Sequence, residues 1–219
     1  MTKLTEFLKC FLLIMVFNLL PDLRIDAQAG RNDELDRKVK AFLESGPGRE
    51  GHLNVPPSDG KSLHDIIIEN NYKNALEIGT STGISSIWIA WALSKTGGKL
   101  ITVEIDESRH KEAIENFKAA GLEKYIDARL ADAHELVPQL KGPFDFVFSD
   151  ADKGWLKNYF LAVDPNLTLN GCFVTHNVSE RGGGYSSDYV TFLKQLPHYE
   201  TSFDNNGAGM SISYKRRIK

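Results

Sequence analysis

The chain has 219 residues, of which 42% are hydrophobic and 25% are charged, and its formal net charge at pH 7 is -3. These values are ordinary for a globular protein with one domain and a sizeable core. The charge gives no reason to expect a nucleic acid as a partner, and the scattered cysteines and histidines argue against a zinc finger or a thiol redox site.

The first 29 residues have the pattern of a secretory signal peptide. Two lysines precede an apolar run at residues 11–20, and residues 27–29 read Ala-Gln-Ala, which suits a cleavage site. The run is too short to span a bilayer as an ordinary helix, and Asp22 and Asp26 are unusual so close to a cleavage site. Three interpretations stay open: export after cleavage, an uncleaved membrane anchor, or a cytoplasmic protein with an amphipathic N-terminus. In each of them residues 30–219 form the folded domain.

Beyond residue 30 the hydrophobic pattern predicts alternating helices and strands. Near-continuous apolar strands indicate a parallel sheet that is covered on both faces. Residues 199–203 and 210–214 alternate around a polar turn, which predicts a terminal antiparallel hairpin. The sequence therefore predicts one doubly wound, Rossmann-like α/β domain with a mostly parallel seven-stranded sheet. The predicted helices are at residues 33–43, 63–70, 84–93, 107–120, 133–140, 153–163 and 186–196, and the other strands are at residues 75–78, 100–105, 126–130, 144–149 and 172–175.

The ends of the first two strands of the parallel part carry a nucleoside-binding pattern. Open α/β sheets bind ligands beyond the carboxyl ends of their strands. The first strand runs into a turn that contains Gly79 and Gly83, and the second ends at Glu104, which can accept hydrogen bonds from ribose hydroxyls. The G-x-x-x-G spacing differs from that of dinucleotide-binding turns, and Ser85 in the next helical turn suits an amino-acid carboxylate. The alternative is a purely structural turn beside a solvated Glu104.

A second group of polar residues follows the strand at residues 144–149. That strand delivers Asp150 to the same edge of the sheet, and Lys153 follows three residues later. Together with the Glu77-x-Gly79 turn and Glu104, this segment resembles the cation-dependent O-methyltransferases that use S-adenosylmethionine (SAM), among them catechol and caffeoyl-CoA O-methyltransferases. The resemblance covers roughly residues 53–214. It implies transfer of a methyl group from SAM to a hydroxyl of a small, catechol-like aromatic acceptor, with S-adenosylhomocysteine (SAH) as the second product.

The resemblance also implies a role for each matched residue of the cofactor site. Glu104 would hold the ribose, and Ala133 and His134 would lie near the adenine. Asp150 would face the cofactor as well as the acceptor. The methionine part of SAM would be lined by Val55, Glu77, Gly79, Ser81 and Ser85.

The resemblance implies that Lys153 is the base for the substrate hydroxyl and that Asp150 is a metal ligand beside it. His176, where this chain departs from the family, is the third candidate catalytic residue. The family completes its metal site with Asp-Asn after the next strand, whereas this chain has His176 and Asn177. The predicted metal ligands are therefore Asp150, His176 and Asn177. Magnesium prefers oxygen ligands, and imidazole suits manganese or other transition metals better.

Three interpretations of His176 stay open at this point. In the first, a divalent cation (magnesium or manganese) still binds at Asp150, His176 and Asn177, but the site prefers a different metal from the rest of the family. Alternatively the metal is lost and His176 serves as a general base, or His176 is only structural.

Two alternative functions compete with O-methylation. The chain could be a catalytically silent protein that binds SAM or SAH, which the histidine at position 176 favours. It could also be an NAD-dependent oxidoreductase, although the glycine spacing and the lack of a Tyr-x-x-x-Lys motif argue against this. The expected partners are the small-molecule acceptor and, by the resemblance, a second copy of the chain in a homodimer, with membrane association if the N-terminus is an anchor.

Overall fold

The computed structural model describes residues 33–45, 54–180 and 186–217. The predicted leader or anchor at residues 1–29 lies outside the described residues. Helix α1 covers residues 33–44. The other α-helices are α2 (Pro57–Asn70), α3 (Ile84–Thr96), α4 (Glu107–Ala120), α5 (Ala133–Leu136), α6 (Leu156–Val163) and α7 (Ser187–Lys194). The strands are β1 (Asn74–Ile78), β2 (Lys99–Glu104), β3 (Ile126–Leu130), β4 (Phe144–Ser149), β5 (Leu167–His176), β6 (Tyr199–Asp204) and β7 (Met210–Lys215).

The seven strands form one sheet in the order β3-β2-β1-β4-β5-β7-β6. Strands β1 to β5 pair in parallel, and β7 runs antiparallel to both β5 and β6. The predicted doubly wound sheet with a terminal hairpin is therefore confirmed. The strand order reverses between β1 and β4, and such a switch point opens a crevice at the carboxyl ends of the strands.

Helices cover both faces of the sheet because its central strands are apolar on both sides. Side chains alternate along a strand, so Phe146 and Phe148 of β4 pack in one core and Val147 packs in the other. The first core includes Leu63 of α2, and the second includes Phe160 of α6. This two-sided burial fixes the register of β4 and so determines which residues reach the edge of the sheet.

Several helices differ from the predicted bounds, and in two of them the difference comes from proline. The helix predicted at residues 153–163 begins as a 3-10 helix at Lys153–Trp155 and is α-helical only from Leu156 to Val163. Helix α2 begins at Pro57, six residues before the predicted start, because proline is accommodated in the first turn of a helix. This change places Asp59 inside the helix. The helix predicted at residues 133–140 is a single turn of α-helix that continues as a 3-10 helix at Val137–Gln139. The change comes from Pro138, which lacks the backbone amide that an α-helix needs.

None of the helices in the described ranges combines the length and the apolar character needed to cross a bilayer. The apolar run at residues 11–20 lies before the first described residue.

Candidate active site

A cleft of about 590 Å³ lies at the carboxyl ends of the parallel strands. It brings together most of the residues that the sequence predicted for the cofactor and for catalysis. Val55 and Glu77 do not line it, because Val55 packs in the core and Glu77 is completely buried behind the first turn. The predicted residues that line the cleft are Gly79, Ser81, Ser85, Glu104, Ala133, His134, Asp150, Lys153, His176 and Asn177.

The turn after β1 requires glycine at position 79. Gly79 has a φ of 97°, and a Cβ there would lie 2.7 Å from the carbonyl oxygen of Asp150. The backbone amide of Asp150 in turn donates to the carbonyl of Ile78, at 2.9 Å. The close approach therefore joins the first turn to the end of β4, where the catalytic residues begin.

Backbone amides hold the carboxylate of Glu104 at the edge of the cleft. The amide of Ser81 donates to Oε2 at 2.7 Å, and the amides of Ile105 and Asp106 donate to Oε1 at 3.0 and 2.9 Å. Three such donors fix the position of the carboxylate. Glu104 is thus an oriented acceptor, which is what recognition of ribose hydroxyls requires.

The Glu77 carboxyl group is buried under the same turn. Its Oε2 accepts hydrogen bonds from the hydroxyls of Ser86 and Thr102. Burial raises the pKa of Glu77 to about 7, although nearby hydroxyls act in the opposite direction. Within the described residues, Glu77 Oε1 and Ser81 Oγ have no hydrogen-bond partner. Unpaired buried oxygens beside a cleft suit a ligand that brings its own donors.

His134 belongs to an aromatic group on the predicted adenine side of the cleft. Its ring stacks on Trp155, with centroids 3.9 Å apart and an interplanar angle of 25°. Tyr159, which also lines the cleft, lies beside both rings, with its centroid 5.7 Å from that of His134 and 5.9 Å from that of Trp155. Such a group gives a flat ligand an apolar surface.

At the other end of the cleft, four charged side chains form an ion-pair row: Lys153, Asp150, His176 and Asp59. Lys153 Nζ lies 2.5 Å from Asp150 Oδ1 and 3.3 Å from the carbonyl oxygen of His176. Asp150 Oδ2 lies 2.9 Å from His176 Nδ1, and His176 Nε2 lies 2.9 Å from Asp59 Oδ2. The row therefore runs from the cleft into the protein interior, where Asp59 is 1% exposed.

The row shifts the pKa values of its central members. Burial opposes ionisation of His176, but its hydrogen bonds and proximity to Asp150 and Asp59 prevail and raise its pKa above the ordinary value. Burial likewise opposes ionisation of Asp150, yet His176 and Lys153 hold its pKa below the usual range. Both shifts favour the charged forms of these two side chains.

Asp59 is a site residue to which the sequence analysis gave no role. Its Oδ2 also accepts from the backbone amide of Ala208, at 3.0 Å, and its Oδ1 accepts from Ser58 Oγ at 3.2 Å. Gly207 lies so close that a Cβ there would come within 1.6 Å of Asp59 Oδ1. The only sequence signal was an acidic residue between a proline and a glycine, inside the segment that resembles the family.

The predicted metal ligands line the same cleft, but the donor atoms of two of them, Asp150 and His176, are already hydrogen-bonded. Both oxygens of Asp150 and both ring nitrogens of His176 have partners in the ion-pair row. Among the described residues there is no group of three His, Cys, Asp or Glu side chains arranged to hold a metal ion. This donor set does not fit a divalent cation as it stands, and the cation remains a sequence prediction.

Three sequence matches relate this chain to known proteins. Residues 35–182 match the family model described as O-methyltransferase. A catechol O-methyltransferase of Niastella koreensis is 41% identical over 58% of this chain, and the match spans 64% of that protein. A candidate caffeoyl-CoA O-methyltransferase of Arabidopsis thaliana is 31% identical over 83% of this chain and 86% of its own length.

The fold has close structural counterparts as well. The O-methyltransferase of Bacillus cereus, solved in complex with SAH, superposes with a TM-score of 0.68 at 22% identity. The superposition covers 83% of this chain and 90% of that one. At this level of identity the likeness concerns the fold.

Proposed function

Because this chain belongs to the O-methyltransferase family, we propose that it transfers the methyl group of SAM to a hydroxyl of a small, catechol-like aromatic acceptor. The observation that carries the proposal is that Glu104, an oriented carboxylate, and Lys153, an amine, line the same cleft. One group suits the ribose of a nucleoside, and the other suits the removal of a proton.

The residues of the first turn fit SAM. Glu104 would hold the ribose hydroxyls, while the Ser81 hydroxyl, which lines the cleft and has no partner among the described residues, would exchange hydrogen bonds with the amino-acid part. Ser85 lies in the first turn of α3, where helix amide groups favour a carboxylate. Ala133 and His134 would lie along the adenine, with the Trp155 ring behind His134.

SAM supplies a methyl group on a positively charged sulfur. In the transfer, the acceptor oxygen gives an electron pair to the methyl carbon, the carbon–sulfur bond breaks, and its electron pair stays on sulfur. The products are a methyl ether and SAH. The acceptor proton moves to Nζ of Lys153 in the uncharged form of that side chain, and Asp150 holds this nitrogen at the cleft wall.

The test is methyl transfer by the full chain from labelled SAM to a panel of catechols, with EDTA present and then with magnesium or manganese added back. We expect a labelled methyl ether and one SAH per methyl transferred. Binding of SAH without turnover of any acceptor would instead support the silent-binding alternative. The NAD-dependent alternative would return only if the chain bound NADH and not SAM.

We also propose, from the sequence, a role for the N-terminus and an oligomeric state. Residues 1–29 act as an export signal or a membrane anchor, and the chain forms a homodimer. Mass spectrometry of the mature N-terminus and membrane fractionation test the first proposal. Light scattering of the purified chain tests the second, and a monomer at assay concentrations would contradict it.

A further inference from the structure

We propose that the ion-pair row of Asp59, His176, Asp150 and Lys153 takes the place of a divalent cation, so that the cleft functions without binding a metal ion. This inference rests on the proposed methyl transfer for its meaning. Its geometry, however, can be tested without any turnover.

The first argument is that the donor atoms are already used. A metal at this position would have to be coordinated by Asp150 and by the residue at position 176. The two oxygens of Asp150 accept from Lys153 Nζ and His176 Nδ1, and the second ring nitrogen of His176 faces Asp59 Oδ2. A cation could bind only after at least two of these contacts had broken.

The second argument concerns the two ring nitrogens of His176. Nδ1 lies 2.9 Å from Asp150 Oδ2 and Nε2 lies 2.9 Å from Asp59 Oδ2, so each nitrogen already has a carboxylate oxygen as its hydrogen-bond partner. Asp59 is therefore the residue that denies His176 to a metal ion, because it occupies the nitrogen that would otherwise be free.

The third argument is burial. Asp59 and His176 are 1% and 4% exposed, so a cation that entered between them would lose most of its water.

Asp59 is in this view a positioning residue rather than a catalytic one. It comes from α2, and the hairpin amide of Ala208 fixes the oxygen that meets His176. The imidazole ring of His176 is thereby held in one orientation between Asp150 and Asp59, and His176 is 4% exposed.

The experiment measures metal binding directly. The full chain, treated with a chelator and saturated with SAH, is titrated with manganese and followed by electron paramagnetic resonance and by calorimetry. The same titration is made on His176→Asp, which restores a carboxylate pair, and on His198→Asp. His198→Asp is the control, because it makes the same substitution just before β6, at the end of the sheet opposite to the cleft.

We expect no stoichiometric manganese site in the wild type or in His198→Asp, and one site with at least tenfold tighter binding in His176→Asp. One tight site in the wild type would overturn the inference even if the protein methylated nothing. A His176→Asp protein that binds SAH normally but gains no manganese site would also overturn it. If that variant does not bind SAH, the wild-type titration decides alone.

Turnover separates this inference from the proposed function. Wild-type methyl transfer that EDTA leaves unchanged supports both, and EDTA-sensitive transfer restored by manganese supports the function and overturns the inference. Absence of methyl transfer contradicts the proposed function, while the manganese titration still tests whether the ion-pair row excludes a metal ion.

Discussion

The two ends of the cleft are built by different means. At the cofactor end, Glu104 is held by the backbone amides of Ser81, Ile105 and Asp106, which belong to two adjacent turns. At the acceptor end, His176 is held by side chains, one of them from Asp59, 117 positions earlier in the chain. Backbone donors survive most substitutions of the residues that carry them, whereas a row of side chains is changed by each replacement. The cofactor end should therefore tolerate change better than the acceptor end.

The largest effect should come from Lys153→Ala, which removes the proton acceptor at the acceptor end. We expect the rate of methyl transfer to fall by about 10²- to 10⁴-fold, the usual contribution of a general base. The dissociation constant for SAH should stay unchanged, because the cofactor end is independent. Steady-state kinetics and calorimetry measure the two effects, and Lys157→Ala on the exposed face of α6 is the matched control. Wild-type rates in Lys153→Ala would place the base elsewhere.

A slightly smaller effect is expected for Glu77→Gln, and it concerns stability at the cofactor end. With a pKa of about 7 in the fold against 4.5 in the free side chain, Glu77 binds more protons when folded. Its contribution to stability is thus complete below pH 4.5 and is lost as pH rises through 7, a change of the order of 3 kcal/mol. The Gln variant cannot ionise.

The measurement for Glu77→Gln is urea unfolding of the SAH-free protein at pH 5 and pH 8. The free energy of unfolding of the wild type should decrease between these values by more than that of the variant. Equal changes in both proteins would show that Glu77 does not govern this pH range.

Glu104→Ala should weaken SAH binding by about 1.5–3 kcal/mol, because a fixed charged acceptor is lost. Glu107→Ala, on the exposed start of α4, is the control and should bind as the wild type does. Calorimetric dissociation constants make the comparison, and an unchanged value for Glu104→Ala would remove this residue from the ribose site.

The smallest effect should be that of His134→Ala. Loss of a ring stacked on Trp155 is expected to raise the dissociation constant for SAH about two- to tenfold, the range for one aromatic contact. His198→Ala, outside the cleft, serves as the control. A change larger than that of Glu104→Ala would reverse the ranking of the two contacts.

These differences also explain which features could be predicted from the sequence. The sheet, the terminal hairpin, the turn at Gly79 and the acidic strand end at Glu104 follow from local patterns, because each depends on residues close together in the chain. The segment Asp150 to Lys153 was recognisable for the same reason. The contact of Asp59 with His176 was not, since it depends on how α2 packs across the end of β5, and the proline that starts α2 early concealed the position of Asp59.

The close fit of Gly207 against Asp59 extends the influence of the active site to the terminal hairpin. Gly207 carries no functional group, yet any other residue there would push its side chain into the carboxylate that steadies His176. In a library of single variants selected for turnover, position 207 should thus be as intolerant as Lys153, while its exposed neighbours Asn205 and Asn206 accept many replacements. A substitution in the hairpin can thus alter catalysis through the contact between position 207 and Asp59, although the hairpin itself contains no catalytic residue.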